Sequence, residues 1–407
     1  MSEDKCTFFS HIHFNNLCKY ANSLKWMCEY KSSLFLFQLV WRQLEFAFFG
    51  ALALAGALFV LPKILFNRKG IFMKKVIMRL LAIIMLLSVL LLTSCIPIYY
   101  TTTTTMPSKV TLDGIIYSKA GYNLKEYTVT GMIITSKKNN ITIRDTVNGY
   151  PVTGIKEKAF EKNQVIQTVV IPDSVTKIGT SAFFGCSNLT NVVIGDGVLE
   201  IEKATFRDCQ SLINVEIGNS VASIGVSAFE NCISLNTIKI PNSVTTIGAG
   251  AFYGCTSLDN VEFGKSVKTI SERAFSNCES INIIIIPNSV TYLGDYAFSG
   301  CTSLKGVLVG NSVKKIGNSA FSGCEALEEV VLGTTVDYIG VKAFSDCTSL
   351  YGIFIPKSVT TIGENAFEDC SVLEIYCEAN SRPSGWSFYW NPSNRPVVWG
   401  YQLDSDY

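Results

Sequence analysis

Nine cysteines stand 23 residues apart in this chain: Cys186, Cys209, Cys232, Cys255, Cys278, Cys301, Cys324, Cys347 and Cys370. Three kinds of chemistry could use them. A metal site needs ligands clustered at short spacing, and a 23-residue interval supplies none. A disulfide series would need partners at roughly 4.8 Å, the separation of equivalent positions on stacked strands. Equivalent side chains in a stack point the same way, however, and nine thiols cannot all pair. The expectation is therefore a ladder of buried thiols, acting as small apolar fillers with a weak donor for a turn carbonyl. Cys377 falls outside the 23-residue register and is expected to be the thiol open to reaction or pairing.

Other catalytic chemistry is thinly represented. The two histidines, His11 and His13, both lie near the start of the 407-residue chain. Nucleophilic sites built on Ser-His or Cys-His pairs, and histidine-ligated zinc, are thereby excluded from everything that follows. The glycines fall at repeat positions, so no phosphate-cradling loop emerges. Glu328 and Glu329 form a carboxylate pair of the kind a glycosidase uses, but adjacent acids read as solvated surface. No catalytic residue, metal or cofactor is expected, and the chain reads as a non-enzyme. Residues 1–95 hold 11 of the 34 basic and 4 of the 33 acidic residues, which leaves 23 basic and 29 acidic, a net of −6, beyond Cys95. A mildly acidic chain without a basic stripe argues against nucleic acid as a partner.

The elements that carry the cysteines repeat with them. Phenylalanine recurs every 23 residues, ten times, from Phe160 to Phe367. A fixed period of this length marks a solenoid, because one such unit cannot bury its own apolar side. In the sample coil, Leu189, Val192 and Ile194 recur as Leu212, Val215 and Ile217. Val192 and Ile194 are two apart and share one face of a short strand. Gly or Pro then ends the strand, a Ser-Val step and an Ile-Gly pair follow, and Ile178, Ala182, Phe183 and Cys186 show the spacing of one helical face. The reading is an α/β solenoid: a right-handed coil of 23-residue repeats, with a parallel strand sheet on the concave face and short helical turns on the other. Ten coils would stack to roughly 50 Å at normal strand spacing.

The strings Ile240-Pro-Asn-Ser-Val-Thr-Thr-Ile-Gly248 with Ala251-Phe252-Tyr-Gly-Cys255, and Ile355-Pro-Lys-Ser-Val-Thr-Thr-Ile-Gly363 with Ala366-Phe367, resemble the BspA-type leucine-rich-repeat family. The likeness runs over about residues 150–377. Departures are mild: Asn163 stands where the first cysteine would be, Thr205 replaces the alanine, and Glu202 and Ser271 replace the glycine. The resemblance implies a surface-exposed or secreted protein with a binding face, in several members adhesive, and carries no active-site motif.

The ends read differently. Residues 110–151 alternate as strands and are expected to form an N-terminal β cap, with Asn139-Asn140 turning a hairpin. Residues 152–377 hold the ten repeats, and the aromatic, proline-containing segment 378–407 is expected to cap the last coil. From Met73 the chain shows a basic start, an apolar run and Leu92-Thr-Ser-Cys95, the form of a lipoprotein signal over 73–95 with Cys95 as the lipidated residue and 96–109 as a tether. Residues 1–72 read as an upstream extension of the reading frame, or alternatively as a real segment with a membrane helix at 46–62. Lys63 to Arg79 is basic without an acid, so either arrangement places the repeats on the extracellular side, anchored through a lipid or an N-terminal helix.

The functional expectation is a cell-surface module that binds a protein on a host or neighbouring cell; the alternative is an envelope scaffold or spacer without a specific ligand. Between the inward Val192 and Ile194, Val193 points out. The equivalent outward residues include Glu216, Lys239 and Glu262, then four apolar ones: Ile285, Leu308, Val331 and Phe354. These four, with Tyr351 as a polar rim, are the candidate ligand-binding residues.

Overall fold

The computed structural model describes residues 106–402, apart from 122–123 and 134–135. The signal at 73–95 with Cys95, the segment 46–62 and the rest of residues 1–72 lie outside the described residues. Among the described residues, no helix is long and apolar enough to cross a membrane.

Each coil contributes two strands rather than one. The isoleucine of each Ile-Gly pair and the residue before it form a two-residue strand, from Lys177–Ile178 to Thr361–Ile362. These short strands pair in parallel, register for register, as in Ile201 with Ile224 and Ile224 with Ile247. Together with Lys109–Leu112, Ile115–Lys119, Tyr127–Met132, Tyr150–Ile155 and Thr146–Val147, which pairs with Tyr150–Ile155 off the main path, they make one 14-stranded sheet. The strands expected from the Leu-x-x-Val-x-Ile pattern line the other side in three shorter sheets. The last of these runs through Ile283–Ile286, Gly306–Val309, Glu329–Val331, Gly352–Ile355, Glu374–Cys377 and Val397–Trp399.

The expected helical turns are not there. The segment around each phenylalanine is a chain of β-turns, and its hydrogen bonds explain why. Alternate amides close local turns: Ala182 donates to Gly179, Phe184 to Ser181 and Cys186 to Phe183, at 3.1–3.2 Å. The amides between them leave the coil, Phe183 donating to Thr205 at 2.9 Å and Gly185 to Arg207 at 2.8 Å. A helix would keep every one of these amides to itself; here half of them join successive coils. The geometry needs left-handed backbone two residues before and two after every phenylalanine, as at Ser181 (φ 55°) and Gly185 (φ 69°), or Arg273 (φ 54°) and Asn277 (φ 58°). Such a residue disfavours a helix and suits the third position of a type II turn.

Inside, every apolar column is continuous. The ten phenylalanine rings stack along the coil axis at centroid separations from 4.9 Å (Phe160–Phe183) to 5.6 Å (Phe344–Phe367), within 11° of parallel. The nine ladder cysteines are free thiols and fully buried. Each Sγ donates to the carbonyl of the preceding coil's phenylalanine, from Cys186 to Phe160 (3.1 Å) through Cys278 to Phe252 (3.1 Å) to Cys370 to Phe344 (3.0 Å). That same carbonyl already accepts the amide of its own coil's cysteine, as Phe252 does from Cys255. The thiol thus fills a void and occupies a second lone pair, which satisfies a polar atom that burial would otherwise leave half-used. Burial pushes the thiols of Cys255 and Cys301 up to about 12, against opposing backbone hydrogen bonds.

The N-terminal end departs from expectation in one place. No hairpin turns at Asn139-Asn140: strand Asn140–Thr142 instead pairs in parallel with Thr168–Ile171, so Ile141 and Ile143 already occupy the inward positions of a coil. Antiparallel pairs lie earlier, between Lys109–Leu112, Ile115–Lys119 and Tyr127–Met132, and later, between Thr146–Val147 and Tyr150–Ile155. At the far end, Trp386 and Trp390 are buried, and Trp390 meets Phe367 edge-on at 6.0 Å. Trp386 donates its indole N–H to the Val359 carbonyl at 3.1 Å.

Candidate binding surface on the strand side

In the last sheet the side chains alternate as a half-buried strand requires. Ile284, Val307, Val330 and Ile353 point into the core, and the residues after them point out. Ile285 pairs with Leu308, and Leu308 with Val331, so the three stand side by side on adjacent strands. They are 60 %, 45 % and 46 % exposed. The same register carries the row onward, with Phe354 beside Tyr376 and Tyr376 beside Val398.

Phe354, the fourth candidate, is more covered than the other three. Its ring is half-buried, with Tyr401 across it at a centroid distance of 6.2 Å, and Tyr401 also packs on Tyr376 at 4.9 Å. The chain returns over the last coil and folds this aromatic onto the row. The candidate surface is therefore aliphatic and open at Ile285, Leu308 and Val331, and aromatic and partly covered at Phe354. Tyr351 is exposed at the turn leading into the Phe354 strand, beside the row.

Sequence reasoning missed two members. Ile283 lies two residues before Ile285, on the same face, and is 65 % exposed. The alternation that found Ile285 also specifies Ile283; it sits at a position held by Asn260, Gly306 and Glu329 in neighbouring coils, where no apolar column drew notice. Tyr376 was missed for another reason. Its coil is one residue shorter than the others, which hid both Tyr376 and Cys377 from a 23-residue count. Cys377 is not a stray thiol: it pairs with Ile355, faces the core, and burial alone pushes it up to about 12. A reactive or paired role for it is overturned by that position, since a nucleophilic thiol needs exposure and a lowered pKa.

The preceding coils present a different face at the same positions. Glu216, Lys239 and Glu262 are exposed, and Lys239 meets Glu262 at 3.1 Å across paired strands. Beside the apolar row, Lys305, Glu328 and Glu329 are exposed to solvent, and Glu374 accepts the Tyr376 hydroxyl at 2.6 Å. Among the described residues, no group of three or more His, Cys, Asp or Glu is arranged to hold a metal ion.

Similar proteins share the repeat. A family model described as a BspA type leucine rich repeat region matches residues 153–282 and 268–393, with six copies. A leucine rich cell surface protein from Faecalibacterium prausnitzii is 28% identical, covering 67% of this chain and 89% of its own, with a TM-score of 0.46. A leucine-rich repeat protein from Bacteroides ovatus is 27% identical, covering 72% of this chain and 92% of its own, with a TM-score of 0.41. A leucine rich repeat protein of T. pallidum is 24% identical, covering 60% and 90%, at 0.35. No curated protein matches. The matched residues are the ones whose phenylalanine, cysteine and isoleucine columns build the stack, and on them the chain belongs to the BspA-type leucine-rich repeat family.

Proposed function

We propose that this chain is a cell-surface binding module, held to the membrane through Cys95, whose outward row Ile285, Leu308, Val331 and Phe354 docks a protein partner, with Tyr351 at the rim. One observation carries the reading. Three exposed aliphatic side chains stand on adjacent strands, at positions where the three preceding coils carry Glu216, Lys239 and Glu262. Strand propensity favours β-branched residues anywhere in a sheet, but Leu308 is not β-branched, and the change from charge to aliphatic is abrupt. Contiguous exposed apolar surface of this kind marks interaction sites. Lys305, Glu328, Glu329 and Glu374 flank the row, so the partner segment combines apolar side chains with polar or charged neighbours.

The test compares the full-length parent with a Leu308→Asp/Val331→Asp variant for adhesion to host cells and immobilised matrix proteins. The variant is expected to lose binding while melting at the parent's temperature. Equal adhesion would leave the row as ordinary strand surface and favour a spacer. Anchoring is checked separately: the parent is expected to incorporate a palmitate analogue and Cys95→Ala to lose the label.

A further inference from the structure

The turn side of the coils carries a second feature, independent of the apolar row. A shallow groove of about 350 Å³ crosses three coils there, lined by Ser227, Gly250, Glu230, Tyr253, Glu272 and Arg273. It arises where two sequence columns change character. The residue two before each phenylalanine reads Lys158, Ser181, Ala204, Ser227, Gly250, Arg273, Tyr296, Ser319, Lys342 and Asn365. Gly250 is the one glycine in this column, and the backbone does not demand it: Lys158 (φ 58°) and Lys342 (φ 54°) adopt the conformation that Gly250 has (φ 60°). Nor does crowding, since a Cβ at Gly250 would meet its nearest atoms at 3.7 Å, ordinary contact. What the glycine leaves is room. The residue after each phenylalanine reads Glu161, Phe184, Arg207, Glu230 and Tyr253, then serine in the next four coils and Glu368 in the last. Tyr253 is therefore the last large side chain before a run of four serines, and it flanks the space.

The lining groups are held in place and their charges are balanced. Asn277 donates to the Tyr253 hydroxyl at 3.2 Å. Arg207 meets the Glu230 carboxylate at 2.9 Å, Arg273 pairs with Glu272, and the Arg273 guanidinium lies 4.6 Å from the centroid of the Tyr296 ring. A groove whose carboxylates are matched by guanidiniums attracts neither an anion nor a cation strongly. It is open rather than enclosed, unlike a pocket that engulfs a small apolar ligand. What it offers is a half-buried aromatic ring beside acceptors (Glu230, Glu272), a donor (Arg273) and a hydroxyl (Ser227). A ring face carries partial negative charge and attracts partially positive C–H edges. The ligand that presents a C–H face together with neutral hydroxyls is a sugar ring. We infer that this groove binds a neutral saccharide chain, with Tyr253 under one sugar ring and Glu230, Glu272 and Arg273 engaging its hydroxyls.

The test is affinity electrophoresis of the full-length protein through gels carrying a neutral polysaccharide (a mannan, a β-glucan or a xylan), with polygalacturonate as the charged control. Two variants use residues that other coils already accept at the same places: Gly250→Lys, as in Lys158 and Lys342, fills the groove, and Tyr253→Ser, as in Ser276 and Ser299, removes the ring. Retardation of the parent in at least one neutral gel is expected, reduced at least tenfold in apparent affinity by either variant and unchanged by Leu308→Asp. Migration unaffected by every neutral polysaccharide, retardation in polygalacturonate alone, or equal retardation of parent and Gly250→Lys would overturn the inference. Because Leu308 belongs to the strand-side row, failure of either site leaves the other's result intact.

Discussion

The coils around Glu216, Lys239 and Glu262 and those around Ile285, Leu308 and Val331 have the same interior and opposite exteriors. Both regions stack phenylalanine rings at 5.0–5.6 Å and bury a cysteine under the preceding coil's carbonyl. One shows alternating charge on its strand side, the other a bare aliphatic row. The lesson is a division of labour. Columns that repeat hold the coils together, and columns that drift are free to carry recognition, because stability in such a stack is a sum of coil and interface terms to which outward side chains add little.

Several substitutions would break or sharpen that comparison. The largest effect is expected from neighbours on one strand. Val307→Asp places an unpaired charge in the core and should cost about 4 kcal/mol or more, whereas Leu308→Asp, one residue on, should cost less than about 0.5 kcal/mol. Urea titration of the two variants measures both; similar losses would mean the outer row is part of the core. Phe275→Ala opens the ring stack in the middle and should cost about 3–5 kcal/mol, and the same change in either region, at Phe229 or Phe321, should cost alike within the spread for such sites. Cys278→Ser should cost about 1–3 kcal/mol, since the hydroxyl is costlier to bury than the thiol. In the native state the ladder thiols should also resist alkylation until the coils open; fast labelling would refute their burial.

A smaller effect is expected from pH. The folded thiols of Cys255 and Cys301 titrate at about 12, above the ordinary value of 9.0. Their contribution is fully present below the unfolded pKa and is lost as pH rises through the folded one, because the unfolded chain then releases protons that the native chain retains. Melting temperature should therefore fall between pH 9 and 12, and Cys255→Ala/Cys301→Ala should flatten that fall. Least of all, Lys239→Ala removes an exposed ion pair and should change stability by less than about 1 kcal/mol, without touching the aliphatic row.

Much of this was legible from residue spacing. The strand face, the inward columns and the buried thiols follow from periods of two and 23, which core packing enforces at every coil. The error over helical turns came from reading Ile178, Ala182, Phe183 and Cys186 as one helical face, when a chain of turns can bury the same four. A contrary signal was present. From Phe183 onward, two residues after the phenylalanine stand Gly185, Asp208, Asn231, Gly254, Asn277, Gly300, Gly323, Asp346 and Asp369, the residue types that accept left-handed backbone. The second strand per coil was hidden because two residues show no alternation. The fold of Tyr401 over Phe354 could not be read at all, since a contact between the end of the chain and the last coils leaves no periodic trace.

The direction of the bonds between coils has a mechanical consequence. Turn-side amides donate forward, as Phe183 does to Thr205, and Ile-Gly amides donate backward, as Gly179 does to Ile155, so each coil is fastened to both neighbours by bonds lying along the stack. Tension applied between the two ends pulls on those bonds lengthwise, a few at a time, instead of shearing a whole sheet at once. Coils would peel from an end in succession, each trading about 4.8 Å of stacked length for roughly 75 Å of extended chain. A protein held at one end and gripped at the other would then yield in steps of 23 residues, and each released coil could rewind on the intact one beside it.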